Sequence, residues 1–419
     1  MVTEVNKGYV KYEVGEFPED WVLKNFNDIF SFHSTSNYSK AEMSSEGSVG
    51  CIHYGLIHAI PNTHYDLSDG IKFYVTKEQA KYDYVKDGDV IMVDASEDIS
   101  GVNKSVEVFG VREGKYISGL HTYLIRDSKS NLADRFRGII LNSTVIKNQM
   151  IQLAVGMKVF GVSKTQLINI KIPLPPTLEE QKSIATTLTD VDELITGLKK
   201  LISKKKDIKQ GAMQQLLTPP HKGGKRLPGF SGEWVEKSLG EVFNFKQGLQ
   251  CAVKEQFETE KNNRVRFVRI IDLTNNSEPP RYIPKPDISH IIKEDDLFMV
   301  RYGSPGLLGF GFAGVIANNL FRLIPRIQVS SEFFFHLLQY RNQDILNLSS
   351  TTTMAAISFG PLTNMKLVIP IELEEQQAIA QILSDMDAEI TQFEAKKEKY
   401  QDIKQGMMQE LLTGKTRLV

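Results

Sequence analysis

The residues that could do chemistry are few and scattered. Gly309-Phe-Gly-Phe-Ala-Gly314 has the spacing of the glycine fingerprint that cradles a dinucleotide or a methyl donor. That fingerprint needs a strand before it and a helix opening directly on it, because the helix N-terminus carries the partial positive charge that holds the phosphate. Here Val315-Ile-Ala-Asn-Asn-Leu-Phe-Arg-Leu-Ile reads as strand and Pro325 follows, so no cofactor site is expected. Gly414-Lys-Thr416 lacks the leading glycine of a phosphate loop, since Gln409 stands in its place. Pro286-Asp287 and Lys293-Glu294 hint at a nuclease carboxylate site, but no Glu-x-Lys or Asp-x-Lys follows at strand spacing. His53, His58 and His64 cluster without an accompanying acid and read as polar loop residues rather than metal ligands. Nothing assembles a nucleophile, a base and an oxyanion site, so no catalytic residue and no metal site is expected.

Composition narrows the class. The chain has 419 residues, 41% hydrophobic and 24% charged, enough apolar material for more than one core. Lys and Arg number 50 against 51 Asp and Glu, so no basic excess announces a nucleic acid. Cys51 and Cys251 are the two cysteines, too few and too far apart for a disulfide framework. With no signal-peptide pattern and no apolar run of membrane-spanning length, a cytoplasmic protein with no membrane association is expected.

The elements that must position any function are organised by a repeat. Pro175-Pro-Thr-Leu-Glu-Glu-Gln-Lys-Ser-Ile-Ala matches Pro370-Ile-Glu-Leu-Glu-Glu-Gln-Gln-Ala-Ile-Ala, and Asp207-Ile-Lys-Gln-Gly matches Asp402-Ile-Lys-Gln-Gly, with no gap between the two matches. Phe17-Pro-Glu-Asp-Trp21 is echoed by Phe230-Ser-Gly-Glu-Trp234, and Asp89-Val-Ile-Met-Val93 by Asp296-Leu-Phe-Met-Val300. The chain is therefore two copies of one unit, a globular block followed by a helix. From Thr177 to Leu217 there is no proline, and apolar residues recur in alternating steps of three and four, the seam of a coiled coil. The seam residues are Ile184, Leu188, Val191, Ile195 and Leu198 in the first copy, and Ile379, Leu383, Met386, Ile390 and Phe393 in the second. Thr177 and Glu180 suggest a capping box at the helix start. The blocks carry short β-branched and aromatic runs, Val90–Val93, Tyr123–Ile125, Arg266–Ile271 and Leu297–Arg301, and one later helical stretch each, near 139–153 and 331–347.

The expected architecture is α+β: two mixed blocks, each followed by a long helix, with the helices pairing as an antiparallel coiled coil of pseudo-two-fold symmetry. The boundaries read as 1–173 for the first block, 174–218 for its helix, 219–229 for a Gly-rich linker, 230–370 for the second block and 371–419 for the second helix and tail. Charge supports the pairing. Segment 174–229 holds ten basic and six acidic residues and segment 371–419 six and ten. Lysines crowd Lys199, Lys200, Lys204, Lys205 and Lys206, and acids crowd Asp385, Asp387, Glu389, Glu394 and Glu398. Antiparallel pairing about the helix centres would set Lys199 and Lys200 near Glu389 and Glu394.

The tandem units, the Pro-x-x-Leu-Glu-Glu-Gln-x-x-Ile-Ala helix start and the Asp-Ile-Lys-Gln-Gly…Leu-Leu-Thr helix end resemble the specificity subunit of type I restriction–modification systems. The resemblance covers almost the whole chain. It implies that each block is a target recognition domain reading half of a bipartite double-stranded DNA site, and that the helices dock two methyltransferase subunits, with two restriction/translocase subunits completing the complex. S-adenosylmethionine, ATP and Mg would then belong to those partners, and this chain would be a non-catalytic subunit that binds no cofactor. Because the blocks differ in sequence outside their ends, they should read different half-sites. The candidates for reading are hydrogen-bond donors on expected loops, arginine being the commonest reader of guanine. They are Asn37, Tyr38, Lys40, Ser96, Lys104 and His121 in the first block, and Arg264, Arg266, Arg269, Arg301, Tyr302, Ser304, Thr351, Thr352 and Thr353 in the second. Two other readings stay open here: a modification enzyme whose catalytic site escapes motif analysis, and a structural coiled-coil scaffold.

Overall fold

The computed structural model of the chain describes residues 8–68, 70–96, 98, 101–112, 114–154, 160–274, 278–348 and 355–418. Two compact units emerge. The first comprises residues 1–199 with 395–419, the second residues 200–394. The boundary falls inside both long helices, so each unit contains the first half of its own helix and the second half of the other.

In the first unit a five-stranded sheet runs in the order Ser31–His33, Thr122–Arg126, Val90–Val93, Ser105–Phe109, His64–Asp66. Its centre is the Val-Ile-Met-Val run expected from the sequence, all four residues buried. The period of two along a strand explains how one run serves two cores. Val90 and Met92 face a cluster with Phe26, Ile139, Ile140, Ile184 and Leu188. Ile91 and Val93 face another with Ile52, Ile57, Val106 and Leu124. A three-stranded sheet, Tyr116–Ser118, Val49–Ile52, Tyr74–Val75, lies beside this second core.

The second unit repeats the plan with fewer strands. A four-stranded sheet, Phe243–Gln247, Leu320–Pro325, Leu297–Val300, Leu308–Gly309, again has its echo strand buried throughout. Leu297 and Met299 face the helices, while Phe298 and Val300 face a second sheet built from Arg281–Pro284, Arg264–Val268, Gly314–Ile316 and Ile291–Ile292. The repeat extends to a buried ion pair. Asp89 accepts from Arg126 at 2.7 Å, and Asp296 from Arg322 at 2.5 Å, each acid standing just before the central strand and each arginine on the neighbouring one. Each acid also accepts a backbone N–H three residues earlier, from Lys86 and Lys293, which closes the turn into the strand.

Each block is zipped shut at its ends. Val22–Asn25 pairs antiparallel with Lys171–Leu174, and Trp234–Ser238 with Lys366–Pro370, so the strand that enters a block lies beside the strand that leaves it. The long helices follow at once, Leu178–Leu216 and Leu373–Leu411.

Several expectations change. The helical stretch near 139–153 is two helices, Phe136–Leu141 and Thr144–Leu153, broken where Ser143 caps the second through the Ile146 N–H. The stretch near 331–347 likewise splits into Ser331–Tyr340 and Asn342–Asn347. The run Arg266–Ile271 is strand only to Val268 and then turns into the helix Ile270–Thr274, its start tied by the Asp272 carboxylate to the Arg269 N–H. The glycine fingerprint leads into strands rather than a helix. Gly314, at φ +144°, is required because a Cβ there would sit 2.4 Å from the Arg266 carbonyl oxygen, so its role is sheet packing.

Candidate nucleic-acid interface

The helices come first, because they order everything else. Within each unit they run antiparallel. In the second unit Leu217, at the end of the first helix, shares a core with Ile379, Ala380 and Leu383 near the start of the second. In the first unit Leu411 and Leu412 share a core with Ile184, Ala185 and Leu188. The early seam residues thus pack on their own block as well as on the other helix. Ile195, Leu198 and Ile390 are buried, while Val191, Met386 and Phe393 are half-buried.

Charge flanks this seam, in a register different from the expected one. Glu389 and Glu394 pair with Lys205 and Lys206, at 2.6 and 2.7 Å, six residues further along the first helix than Lys199 and Lys200. The docking of each helix end into the opposite block's core, rather than the meeting of helix centres, sets the slide. One ion pair is itself repeated. Lys209 donates to Asp387 in the second unit and Lys404 to Asp192 in the first, both at 2.6 Å. These residues correspond at the same offset of 195 that relates the helices, 387 − 192 and 404 − 209. Changing Lys205, Lys206 and Lys209 to Glu should therefore lower the urea midpoint of the second unit, read by Trp234 fluorescence in a Trp21→Phe background. Three partly exposed pairs turned repulsive give roughly 1–3 kcal/mol. Adding Asp387→Lys, Glu389→Lys and Glu394→Lys should restore the midpoint; a six-fold variant no better than the triple one would show that charge does not match these helices.

The helix start also departs from expectation in one detail. Thr177 Oγ1 accepts the Glu180 N–H at 3.1 Å, as a cap should. The Glu180 carboxylate does not return to Thr177. It is 2% exposed and receives Arg417, which also holds Asp20. In the second unit the equivalent Glu375 receives Arg226 at 2.7 Å and the Trp234 Nε1–H at 3.2 Å.

Among the reading candidates of the first unit, Asn37 is exposed. Tyr38 is half-buried and its hydroxyl donates to the Gln79 carbonyl at 3.1 Å. Lys40 is exposed, with Nζ 5.4 Å from the centre of the Phe73 ring. His121 is exposed at φ +55°, with Nδ1 3.2 Å from Asp94 Oδ1. Ser96 is buried and its hydroxyl accepts the Asp98 N–H. Lys104 donates to the carbonyls of His58 and Ile60, and burial, then the neighbouring Lys147 charge, lowers its pKa. Ser96 thus holds its own loop, and Lys104 ties its strand start to the segment at His58 and Ile60.

In the second unit the arginines are held in place by neighbours. The Arg264 guanidinium lies 3.5 Å over the Phe257 ring and donates to Thr259. Arg266 is 3.9 Å from Asp272 and faces the Phe312 ring. Arg269 is held by Asp272 and Glu278. Arg301 donates to Gln247 and the Ile357 carbonyl over the Phe359 ring. Tyr302 bridges to Ala356, and Ser304 donates to the Gly303 carbonyl. Thr351, Thr352 and Thr353 lie outside the described residues. Arg264 and Arg266 alternate along one strand with Val265, so they share a face of the sheet.

The structure brings Tyr38 and Lys40 together with residues that sequence reasoning passed over. They line a cavity of about 800 Å³ with His53, Tyr54, Tyr65, Lys72 and Phe73. No contiguous motif marks it; the pairs His53-Tyr54 and Lys72-Phe73, basic beside aromatic, were the available signal. Among the described residues no group of three His, Cys, Asp or Glu could hold a metal ion, and no helix is long and apolar enough to cross a membrane.

The chain is thus one mixed α+β block followed by a long helix, built twice, with the two helices antiparallel. The profile of the type I restriction modification DNA specificity domain matches the chain twice, over residues 18–209 and 231–404. The chain belongs to that family. It is similar to the type I restriction enzyme MjaVIII specificity subunit of Methanocaldococcus jannaschii, 28% identical over 96% of this chain and 94% of that one. A second chain of that organism, provisionally named the MjaX specificity subunit, is 27% identical over 98% and 97%. The fold is also that of the S subunit of a type I restriction–modification system from M. genitalium (TM-score 0.62, 15% identity, 98% of each chain). A chain from a study of type I system assembly matches at TM-score 0.55, with 19% identity over 97% and 100%. The protein is a specificity subunit that recognises a DNA target, and it is non-catalytic.

Proposed function

We propose that each unit reads one half of a bipartite target in double-stranded DNA, and that the paired helices dock two methyltransferase and two restriction/translocase subunits in the cytoplasm. S-adenosylmethionine, ATP and Mg act in those partners, and this chain binds none of them. The observation that carries the reading is the doubled match, one copy per unit, on blocks that share end strands but little internal sequence. Spaced half-sites are what two similar readers in one chain would meet. Much of the phosphate neutralisation comes from the partners, because block 17–173 has 17 basic and 18 acidic residues and block 230–370 has 15 and 14.

The test is exchange of residues 17–173 for the corresponding block of a relative, in cells that express the methyltransferase partner. The zipped strands Val22–Asn25 and Lys171–Leu174 make those residues a self-contained insert. Methylated-base mapping should show one half of the target altered and the other unchanged. Alteration of both halves, or of neither, would refute one reader per unit.

A further inference from the structure

The 800 Å³ cavity of the first unit has the lining of a nucleotide site. Tyr54, Tyr65 and Phe73 supply aromatic faces and Leu56, Ile71 and Leu120 apolar wall. Lys40 and Lys72 are exposed, and among the described residues no acidic side chain lines the cavity. That combination suits a planar ring carrying a phosphate: the ring stacks on the aromatics and the phosphate meets the lysines. Its volume falls in the range of pockets that enclose a small molecule.

The wall behind the aromatics adds no charge of its own. His53 is 8% exposed and stands on the cavity wall, its ring 4.9 Å from that of Phe73. Its Nδ1 accepts the Gly55 N–H at 3.1 Å, which fixes the neutral ring's proton on Nε2. That Nε2–H is buried, with no acceptor among the described residues, so it does not open onto the cavity. Burial, and then the Lys40 charge, lowers the His53 pKa, which favours the neutral ring.

We propose that this cavity binds one unpaired nucleotide, its base stacked beside Tyr54 and Phe73 and its phosphate between Lys40 and Lys72. A paired base keeps both faces covered in the duplex, so a DNA base reaches the cavity only when extruded. The inference rests on the DNA-recognition reading for that source; a free nucleotide has the same chemistry and is the other source.

Two measurements on the full chain with its methyltransferase partner decide. The first compares, by fluorescence anisotropy, a fully paired duplex with the same duplex carrying one bulged nucleotide. The wild type should prefer the bulged duplex about tenfold, the value of one stacked base. Tyr54→Ala and Lys72→Ala, both at exposed positions, should abolish the preference while leaving paired-duplex binding in place. The second titrates the same proteins with each deoxynucleoside monophosphate, with inorganic phosphate as control. Saturable binding that both variants lose, without a bulge preference, would identify the free nucleotide as the source. Absence of both the bulge preference and saturable nucleotide binding overturns the proposal. Failure to bind any duplex refutes the DNA-recognition reading instead, and the nucleotide titration still decides the cavity.

Discussion

Arg417→Ala should destabilise the first unit by roughly 2–4 kcal/mol, although the residue stands at position 417 of 419. Its guanidinium holds Glu180 and, through both terminal nitrogens at 3.0 and 2.9 Å, Asp20. Hydrogen bonds to Glu180 and then to Asp20 raise its pKa further above the ordinary arginine value. Glu180 is 2% exposed, so removing its partner strands a carboxylate away from water. The Tyr9 hydroxyl, which donates to the Gly414 carbonyl at 3.0 Å, ties the same tail to the start of the block. Arg226→Ala should act in the same way on the second unit, through Glu375. Trp21 and Trp234 are the only tryptophans, one in each unit, so each unit's urea transition can be followed by itself after the other tryptophan is changed to Phe. Arg417→Ala should move only the Trp21 transition. If the midpoint holds, Glu180 is solvated by other means and the tail does not lock the helix start.

Acid should weaken the second unit through His336. The ring is 1% exposed, between the helix Ser331–Tyr340 that carries it and the second long helix. Ser384 Oγ donates to Glu332, so it accepts from His336 Nε2–H at 3.0 Å and leaves Nδ1 bare. Asp387 Oδ2 is 4.0 Å from Nδ1, too far for a hydrogen bond, and is already held by Lys209. Burial first, and then the Lys209 charge, pushes the His336 pKa down to about 4, against the partial opposition of Asp387. Above about pH 6.5 the ring is neutral in both states and the shift has no effect on stability. As pH falls from 6.5, the unfolded chain takes up a proton that the folded ring refuses. Stability is lost until the folded ring titrates near 4, a total on the order of 3 kcal/mol. The difference in unfolding free energy between wild type and His336→Gln, measured at intervals from pH 7.5 to 4.5 with Trp234 as reporter, should shift toward the variant by that amount. Parallel profiles would mean that His336 protonates without penalty in the folded state.

The long helices were legible because a 3.6-residue period, a proline-free run and a capping threonine act locally, and because the repeat gives the same signal twice. The central strands Val90–Val93 and Leu297–Val300 were legible for the same reason: four consecutive apolar residues after an aspartate are buried on both faces wherever the strand sits. The duplication into two block-and-helix copies also followed from the residues alone, whereas the reading of DNA came only with the family resemblance. What the sequence could not determine is set by contacts distant in the chain. The helix register depends on Leu217 and Leu411 entering cores hundreds of residues of chain in the making, so Glu389 meets Lys205 rather than Lys199. Glu180 spends its charge on Arg417 instead of on its own cap because the chain brings the two together only after folding. The reading residues were least legible, since an arginine on a loop and one clamped by Asp272 or stacked on Phe257 look alike in sequence. Their availability is decided by neighbours that tertiary structure supplies, and the cavity behind Lys40 exists only where four separate segments, around Tyr38, His53, Tyr65 and Phe73, are folded against one another.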